Sequence, residues 1–239
     1  QGQLELEIGR ILPNLDKNIK CGNSLIDYDF MLPVEATEEE QETYNPFSWE
    51  DAFPRVFRDK GFDAVIGNPP YLNVDATWGR NDPRLNYLKH HYPEIYSDKT
   101  DLLFYFLMKA SQVSRGETGF IVSRSFLEAH KAQRLRGWLS QNLRIRSVLD
   151  FRHAQVFPKV GINTAIIRLT HSTAVKRASF SRFTHQKLRA GYDPAYLRNP
   201  DCVNTIEVPM KSLDSGNWTF GDSDIERVKA QIDASGEPI

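Results

Sequence analysis

Apolar residues recur along the chain at two spacings, and these predict alternating helices and strands. Leu4, Ile8 and Ile11 follow a helical spacing, which Pro13 ends. The run "FDAVI" (62–66) predicts a buried strand, because it is short, apolar and closed by Gly67. Residues 98–114, "DKTDLLFYFLMKASQVS", predict a helix that is buried on nearly every side.

Three more strand patterns follow in the second half of the chain. "TGFIVSRSF" predicts a strand that runs into a helix capped by Ser125, with Glu128 closing a capping box, and that helix is expected to reach about Asn142. "IRSVLDF" and "NTAIIRLT" predict two further strands, joined by the loop "RHAQVFPKVGI". The alternation of strands and helices predicts an α/β fold with a mostly parallel sheet and helices on both faces.

The remaining segments are less periodic. Ser48 with Asp51 predicts a short helix despite Pro54, and residues 31–45 predict an exposed acidic loop. Residues 72–97 predict a long loop with some helix, and a loop of that length inside a compact domain is usually functional. Strong periodicity ends after His171, so we place a domain boundary near residue 172.

Charge is unevenly distributed, although the formal net charge is only −1. Residues 35–51 carry seven acids and no base, whereas residues 124–152 carry seven Lys/Arg against two acids and residues 168–198 carry seven against one. The two basic stretches are compatible with solvated helix and strand faces or with a phosphate-contacting surface. Charge alone leaves both interpretations open.

Cysteine usage and hydropathy narrow the class of protein. Cys21 and Cys202 show no metal-ligand spacing, so we expect reduced thiols, a cytoplasmic protein and no metal site. The longest apolar run, residues 102–108, is too short to cross a bilayer.

The residues that follow the first predicted strand are unusual for a turn. Asn68-Pro69-Pro70-Tyr71 comes directly after it, and ligands of open α/β sheets bind beyond the carboxyl ends of strands. The prolines fix the backbone and leave carbonyls without competing N–H groups. The Asn68 oxygen and the Pro69 carbonyl can accept both protons of a substrate NH2 group while the Tyr71 ring stacks on the substrate, so that positioning and electrostatics promote alkylation. An ordinary structural turn is the alternative.

The tetrapeptide and its order among other segments give the chain a family resemblance. "NPPY" resembles the catalytic motif of S-adenosylmethionine-dependent amino-methyltransferases, and residues 1–172 resemble the N6-adenine DNA methyltransferases of restriction–modification systems. "NIKCGNSL", "TDLLFYFLMKASQVSRGETGFIVSRSFL" and "AQVFPKVGINTAIIRL" resemble further segments of that family. The fold implied is an incomplete Rossmann-like methyltransferase domain with an antiparallel last strand.

The resemblance also implies roles for individual residues. The predicted catalytic residues are Asn68, Pro69, Pro70 and Tyr71, and Phe157 joins Tyr71 in stacking on a flipped-out adenine, although Phe157 is also compatible with an ordinary core position. The cofactor S-adenosylmethionine is expected at Asn23, Ser24, Asn68 and Asp101. Residues 173–239 are expected to begin a target-recognition region or linker on double-stranded DNA, with Lys159, Arg182 and Lys187 as candidates for backbone contacts.

One family feature is missing from the sequence. The chain contains no Phe-x-Gly-x-Gly-like turn for the methyl donor. We therefore expect a fragment of a larger polypeptide, with the rest of that polypeptide as its partner, that alone binds the cofactor weakly and is inactive. The alternatives are a methyltransferase for a protein glutamine or an RNA base, which faces the same NH2 problem, and a non-catalytic DNA-binding module.

Overall fold

A computed structural model describes residues 15, 17–31, 37–79, 81–97, 100–154, 156–157, 161–183 and 203–218. The chain forms two compact units, Gln1–Pro54 and Arg55–Ile239. The helix predicted from Leu4 to Leu12 lies outside the described residues.

The smaller unit contains a 3-10 helix (Tyr28–Met31) and two short helices, α1 (Glu38–Tyr44) and α2 (Trp49–Ala52). Ser48 caps α2 as predicted, its hydroxyl accepting the Asp51 N–H at 3.5 Å. The expectation of a loop over residues 31–45 is wrong at α1. Because α1 is acidic and has no apolar stripe, hydrophobic periodicity does not reveal it.

The larger unit is built on a six-stranded sheet. Its strands are β1 (Phe62–Gly67), β2 (Ser114–Ser123), β3 (Arg144–Asp150), β4 (Thr164–Thr170), β5 (Arg177–Phe183) and β6 (Val203–Pro209). They lie in the order β1-β2-β4-β3-β5-β6. β1, β2, β3 and β5 run in one direction, and β4 and β6 are antiparallel to their neighbours. The predicted α/β class and the antiparallel last strand are confirmed.

Five helices belong to or border this unit. They are α3 (Pro54–Arg58), α4 (Val74–Trp78), α5 (Pro83–His91), α6 (Leu102–Val113) and α7 (Gln133–Asn142). The predicted burial of α6 is confirmed, since nine of its twelve residues are buried. α6 joins β1 to β2 and α7 joins β2 to β3, and right-handed crossovers in the same direction place both helices on the same face of the sheet.

The segment between β2 and α7 differs from the prediction. Ser125 and Glu128 do not open a long helix; 3-10 helices at Arg124–Leu127 and His130–Ala132 precede α7. The reason lies in the backbone carbonyls. Those of Phe126 and Ala129 accept hydrogen bonds from the Arg136 guanidinium at 2.8 and 3.0 Å, and that of Leu127 accepts the Trp218 N–H at 2.8 Å. Long-range partners therefore replace the bonds of a regular helix.

The sheet continues past residue 172. β5 pairs with β3 and β6 pairs with β5, so the segment expected to begin a target-recognition region contributes two strands to the same sheet. A role of this segment in target recognition stays a prediction.

The face of the sheet opposite α6 and α7 is open at β1. The prediction of a buried strand is therefore wrong for β1, because none of its six residues is buried and Ile66 is 87% exposed. Ala64, Gly119, Ile121 and Ile166 line an open groove of about 410 Å³ beside it. Across the described ranges, the helices are too short or too polar for any of them to cross a membrane.

Gly67, the last residue of β1, lies directly against an aromatic ring of β2. The two residues are register partners, and a Cβ at position 67 would lie 1.9 Å from Cε1 of Phe120, whose side chain is buried. Only glycine lets the end of β1 approach the ring this closely.

We expect Gly67→Ala to lower the free energy of unfolding by about 1–3 kcal/mol, because the added methyl group overpacks the Phe120 ring. Gly119→Ala is the control, since its Cβ would come no closer than 3.8 Å to the Ile66 side chain. In urea unfolding, the control variant should stay unchanged or gain up to about 1 kcal/mol. Combining Gly67→Ala with Phe120→Leu should recover part of the loss, and strict additivity of the two effects would contradict this account.

Candidate active site

The proline corner (residues 68–71) leaves β1 at the carboxyl end of the parallel strands. Pro69 is buried and anchors the turn, whereas Asn68 is exposed. Within the described part of the chain, the Asn68 amide makes no hydrogen bond to another residue. A rigid backbone therefore holds an amide whose oxygen and NH2 group are free for a ligand.

Tyr71 combines a half-buried ring with a buried hydroxyl group. The hydroxyl oxygen contacts no hydrogen-bond partner among the described residues. Burial raises the pKa of Tyr71 above its ordinary value, because the phenolate is poorly solvated there. The side chain is suited to stacking, and its hydroxyl group stays protonated at neutral pH.

Backbone hydrogen bonds close the long loop that follows the corner. The Val74 N–H donates to Thr100 O at 3.2 Å, and the Leu102 N–H donates to Leu72 O at 2.8 Å. Asn73 and Asp101 form an antiparallel bridge between these two bonds. The start of α6, where Asp101 is a predicted cofactor residue, is thereby fixed beside the proline corner.

Asp101 is the N-cap of α6, but its side chain makes no capping hydrogen bond. Its Oδ1 accepts instead from Lys131 Nζ at 2.7 Å, and the carboxylate is 14% exposed. No local sequence pattern predicts this pair, because thirty residues of chain separate Lys131 from Asp101.

The predicted stacking residue Phe157 lies in the β3–β4 connection (residues 151–163). This connection lies at the same end of the strands as the proline corner, because β3 ends there and the antiparallel β4 begins there. β4 is the second strand from β1, roughly 10 Å away at the usual strand spacing. Phe157 is half-buried. Its stacking role stays a prediction.

The connection begins in a small apolar cluster. Phe151, Ala154 and Phe183 are buried in it, and the rings of Phe151 and Phe183 lie 6.0 Å apart. Val156 packs against this cluster, so the backbone is anchored immediately before Phe157.

Arg124 and Asp150 form an ion pair at the same end of the strands as the proline corner. Arg124 Nε donates to both carboxylate oxygens of Asp150, at 2.9 and 3.1 Å, and the Asp150 side chain is 8% exposed. Arg124 directly follows the last residue of β2, and Asp150 is the last residue of β3, which runs in the same direction. No local sequence pattern predicts that these two residues pair.

The other predicted site residues lie in the smaller unit, in β5 or outside the described residues. Asn23 and Ser24 belong to the smaller unit, where the Asn23 side-chain oxygen accepts the Leu25 N–H at 3.2 Å. Arg182 is half-buried in β5, and Lys159 and Lys187 lie outside the described residues. No group of three or more metal-ligating side chains occurs in the ranges that the structure covers.

We expect Tyr71→Phe to keep or slightly raise the free energy of unfolding at pH 7, by up to about 1 kcal/mol, because the buried hydroxyl group has no partner. Since the pKa of Tyr71 is raised on folding, wild-type stability should fall as the pH rises above 10, and the variant should fall less steeply. Urea unfolding at pH 7 and pH 10.5 measures both effects. Tyr28→Phe is the control, because Tyr28 is 52% exposed. A large loss of stability at pH 7 in Tyr71→Phe would show that the hydroxyl group has a partner.

Two restriction–modification proteins are similar to this chain in sequence. The type II restriction enzyme and methyltransferase RM.Eco57I of Escherichia coli is 29% identical over 225 residues, which are 92% of this chain and 20% of that protein. The type II methyltransferase M.BstVI of Geobacillus stearothermophilus is 28% identical over 98 residues, which are 40% of this chain and 17% of that protein. The chain thus spans a fifth or less of the length of these two relatives.

Solved structures share the fold at low sequence identity. The type IIG restriction endonuclease BpuSI matches 74% of this chain and 23% of its own, with a TM-score of 0.51 and 14% identity. A modification subunit of a putative type I restriction enzyme from Vibrio vulnificus YJ016 matches 72% of this chain and 40% of its own, with a TM-score of 0.52 and 11% identity. The profile of the Eco57I restriction-modification methylase family matches residues 7–157, well over half of the chain. The chain therefore belongs to the Eco57I restriction-modification methylase family.

Proposed function

We propose that this chain is part of an enzyme that methylates the N6 amine of adenine in DNA, within a restriction–modification system and with S-adenosylmethionine as methyl donor. The observation that carries the proposal is the Asn68 amide, exposed and without a hydrogen-bond partner among the described residues, at the carboxyl end of β1. Family membership supports the methyltransferase class, and the corner itself supports an amine as the acceptor.

The corner favours methylation by orienting the acceptor nitrogen. The Asn68 side-chain oxygen and the Pro69 carbonyl each accept one N–H of the adenine amine. Two acceptors draw the nitrogen lone pair out of conjugation with the ring and direct it at an electrophile. Because the prolines restrict the backbone, little reorganisation is needed when the base arrives.

Aromatic side chains offset the cost of extruding the base. Flipping a base out of a duplex costs a few kcal/mol, and stacking on an aromatic side chain returns about 1–3 kcal/mol per base. Tyr71 provides one ring at the corner, and Phe157 in the β3–β4 connection is proposed to provide the other. The raised pKa of Tyr71 keeps this ring uncharged.

The cofactor supplies an electrophilic methyl group on a sulfonium centre. The Asn68 amide fits such a ligand, because its NH2 group stays free to donate when its oxygen accepts the adenine amine. In the larger unit, Asn68 and Asp101 would hold the cofactor. We further infer that the chain alone binds it weakly, because its sequence has no glycine-rich turn of the Phe-x-Gly-x-Gly type.

Double-stranded DNA is the proposed partner, together with the remainder of a larger polypeptide in the cytoplasm. Within the first basic stretch, residues 124–152, three of the seven cations already pair with carboxylates of the chain: Arg124, Lys131 and Arg146. We therefore propose phosphate contacts chiefly for the second basic stretch, which contains Arg182 and Lys187.

We expect Asn68→Ala in the complete protein to reduce methyl transfer to DNA by at least about 10²-fold, because one acceptor of the amine is lost. DNA affinity should change little, since the amide touches the extruded base and not the phosphates. Asn86→Ala is the matched control, because Asn86 is also exposed but lies in α5, away from the proline corner in sequence. Transfer of radioactive methyl groups from S-adenosylmethionine to unmethylated DNA measures the first effect, and gel shifts measure the second.

The acceptor must be varied in the same assay. DNA should be methylated, and RNA and a glutamine-containing protein should not. Transfer to RNA or protein in preference to DNA would overturn the proposed substrate, and full activity of Asn68→Ala would remove Asn68 from its proposed role.

A further inference from the structure

We propose that Arg124 is a positioning residue for the reaction, because it holds both ends of the β3–β4 connection that carries Phe157. The inference rests on the proposed function only in taking Phe157 as the residue that stacks on the target base. Arg124 itself lies at the end of β2 and need not contact DNA or cofactor.

The backbone of Arg124 holds the far end of the connection. Its N–H donates to the carbonyl oxygen of Asn163 at 2.8 Å. This bond extends the ladder between β2 and β4 by one residue beyond the Ser123–Thr164 pair. The point at which the connection enters β4 is therefore tied to β2.

The side chain of Arg124 holds the near end. Its Nε lies 2.9 and 3.1 Å from the two oxygens of Asp150, the last residue of β3, and its Nη1 donates to Glu128 Oε1 at 2.7 Å. The Arg124 and Asp150 side chains are 19% and 8% exposed, so the pair is weakly screened by solvent. Glu128 thus provides a second carboxylate partner for the guanidinium.

Asp150 transmits this restraint to the turn that follows it. Its Oδ1 also accepts the Arg152 N–H at 2.8 Å. Arg152 has φ of 55°, in the left-handed region that non-glycine residues rarely adopt. The carboxylate thus stabilises an unfavourable backbone conformation four residues before Val156, and the direction of the chain toward Phe157 depends on it.

Stability alone does not require an ion pair at this point. The turn is already packed through the Phe151–Phe183 cluster, and the Phe151 N–H donates to Thr164 O at 3.2 Å. Apolar pairs often stabilise a buried site as well as an ion pair does, whereas an ion pair defines a geometry. Arg124 is the one described side chain that contacts Asp150 while its own backbone contacts Asn163.

The test compares Arg124→Gln with Arg124→Lys and with Arg146→Gln. Arg146 provides a matched control, because it pairs with Glu117 at 2.7 Å on the same sheet but touches neither end of the connection. In the complete protein, Arg124→Gln should lower kcat by up to about 10²-fold, because Phe157 is misplaced. The KM for DNA should change by less than about threefold. Arg124→Lys should restore part of kcat, and Arg146→Gln should leave it unchanged.

Hydrogen exchange provides a readout that does not depend on activity. In Arg124→Gln the amides of Arg152 and Ala154 should exchange at least about tenfold faster, while those of α6 should keep their rates. If Arg124→Gln does not fold, Arg124→Lys should show the same local increase to a smaller extent.

The outcomes separate the two proposals. Unchanged exchange at Arg152 and Ala154 overturns the role of Arg124, whatever the activity. Faster exchange with an unchanged kcat also overturns it, because the connection would then be held without effect on the reaction. Absence of methyl transfer to DNA by the wild-type protein counts against the proposed function, whereas the exchange data still decide whether Arg124 holds the connection.

Discussion

The close contact between Gly67 and the Phe120 ring fixes the place where β1 ends. Because no side chain at position 67 fits above that ring, glycine is needed there for β1 and β2 to keep one register from Ala64 to Gly67, the last residue before the proline corner. Pro69 is buried immediately afterwards and Asn68 is left exposed. The position of the exposed Asn68 is therefore set by the packed residues on either side of it, Gly67 and Pro69.

Ion pairs then arrange the neighbouring segments around the corner. Lys131 neutralises Asp101 beside the start of α6, and Arg124 joins the ends of β2, β3 and β4. Arg136, which is 2% exposed, donates hydrogen bonds to backbone carbonyls. Burial lowers the pKa of its guanidinium below the ordinary value, and the charge of Asp214 offsets only part of this effect. Several cations of the first basic stretch (residues 124–152) thus form hydrogen bonds and ion pairs within the chain. From the sequence, solvated faces and phosphate contacts were the two interpretations of this stretch.

The sequence predicted those elements whose periodicity is produced by the core. α6, β3 and β4 have apolar residues at strand or helix spacing because one or both of their faces are buried. β1 was predicted from its apolar run, although none of its residues is buried. α1 was missed because it is solvated, and β5, "RASFSRF", was missed because small and polar residues fill the positions between its buried Ala178, Phe180 and Phe183. The proline corner could be predicted because its chemistry is contained in four consecutive residues. The pairs Asp101–Lys131 and Arg124–Asp150 could not, since each joins residues that only the folded sheet brings together.

The position of the transferred methyl group tests the central claim most directly. The complete protein, supplied with S-adenosylmethionine and unmethylated DNA, yields nucleosides that mass spectrometry can distinguish after enzymatic digestion of the DNA. The proposed acceptance of two N–H groups by the Asn68 amide and the Pro69 carbonyl predicts methylation of an exocyclic nitrogen, and the family resemblance predicts N6-methyladenine. A methyl group on carbon 5 of cytosine would contradict the account, because no amine would then be bound at Asn68.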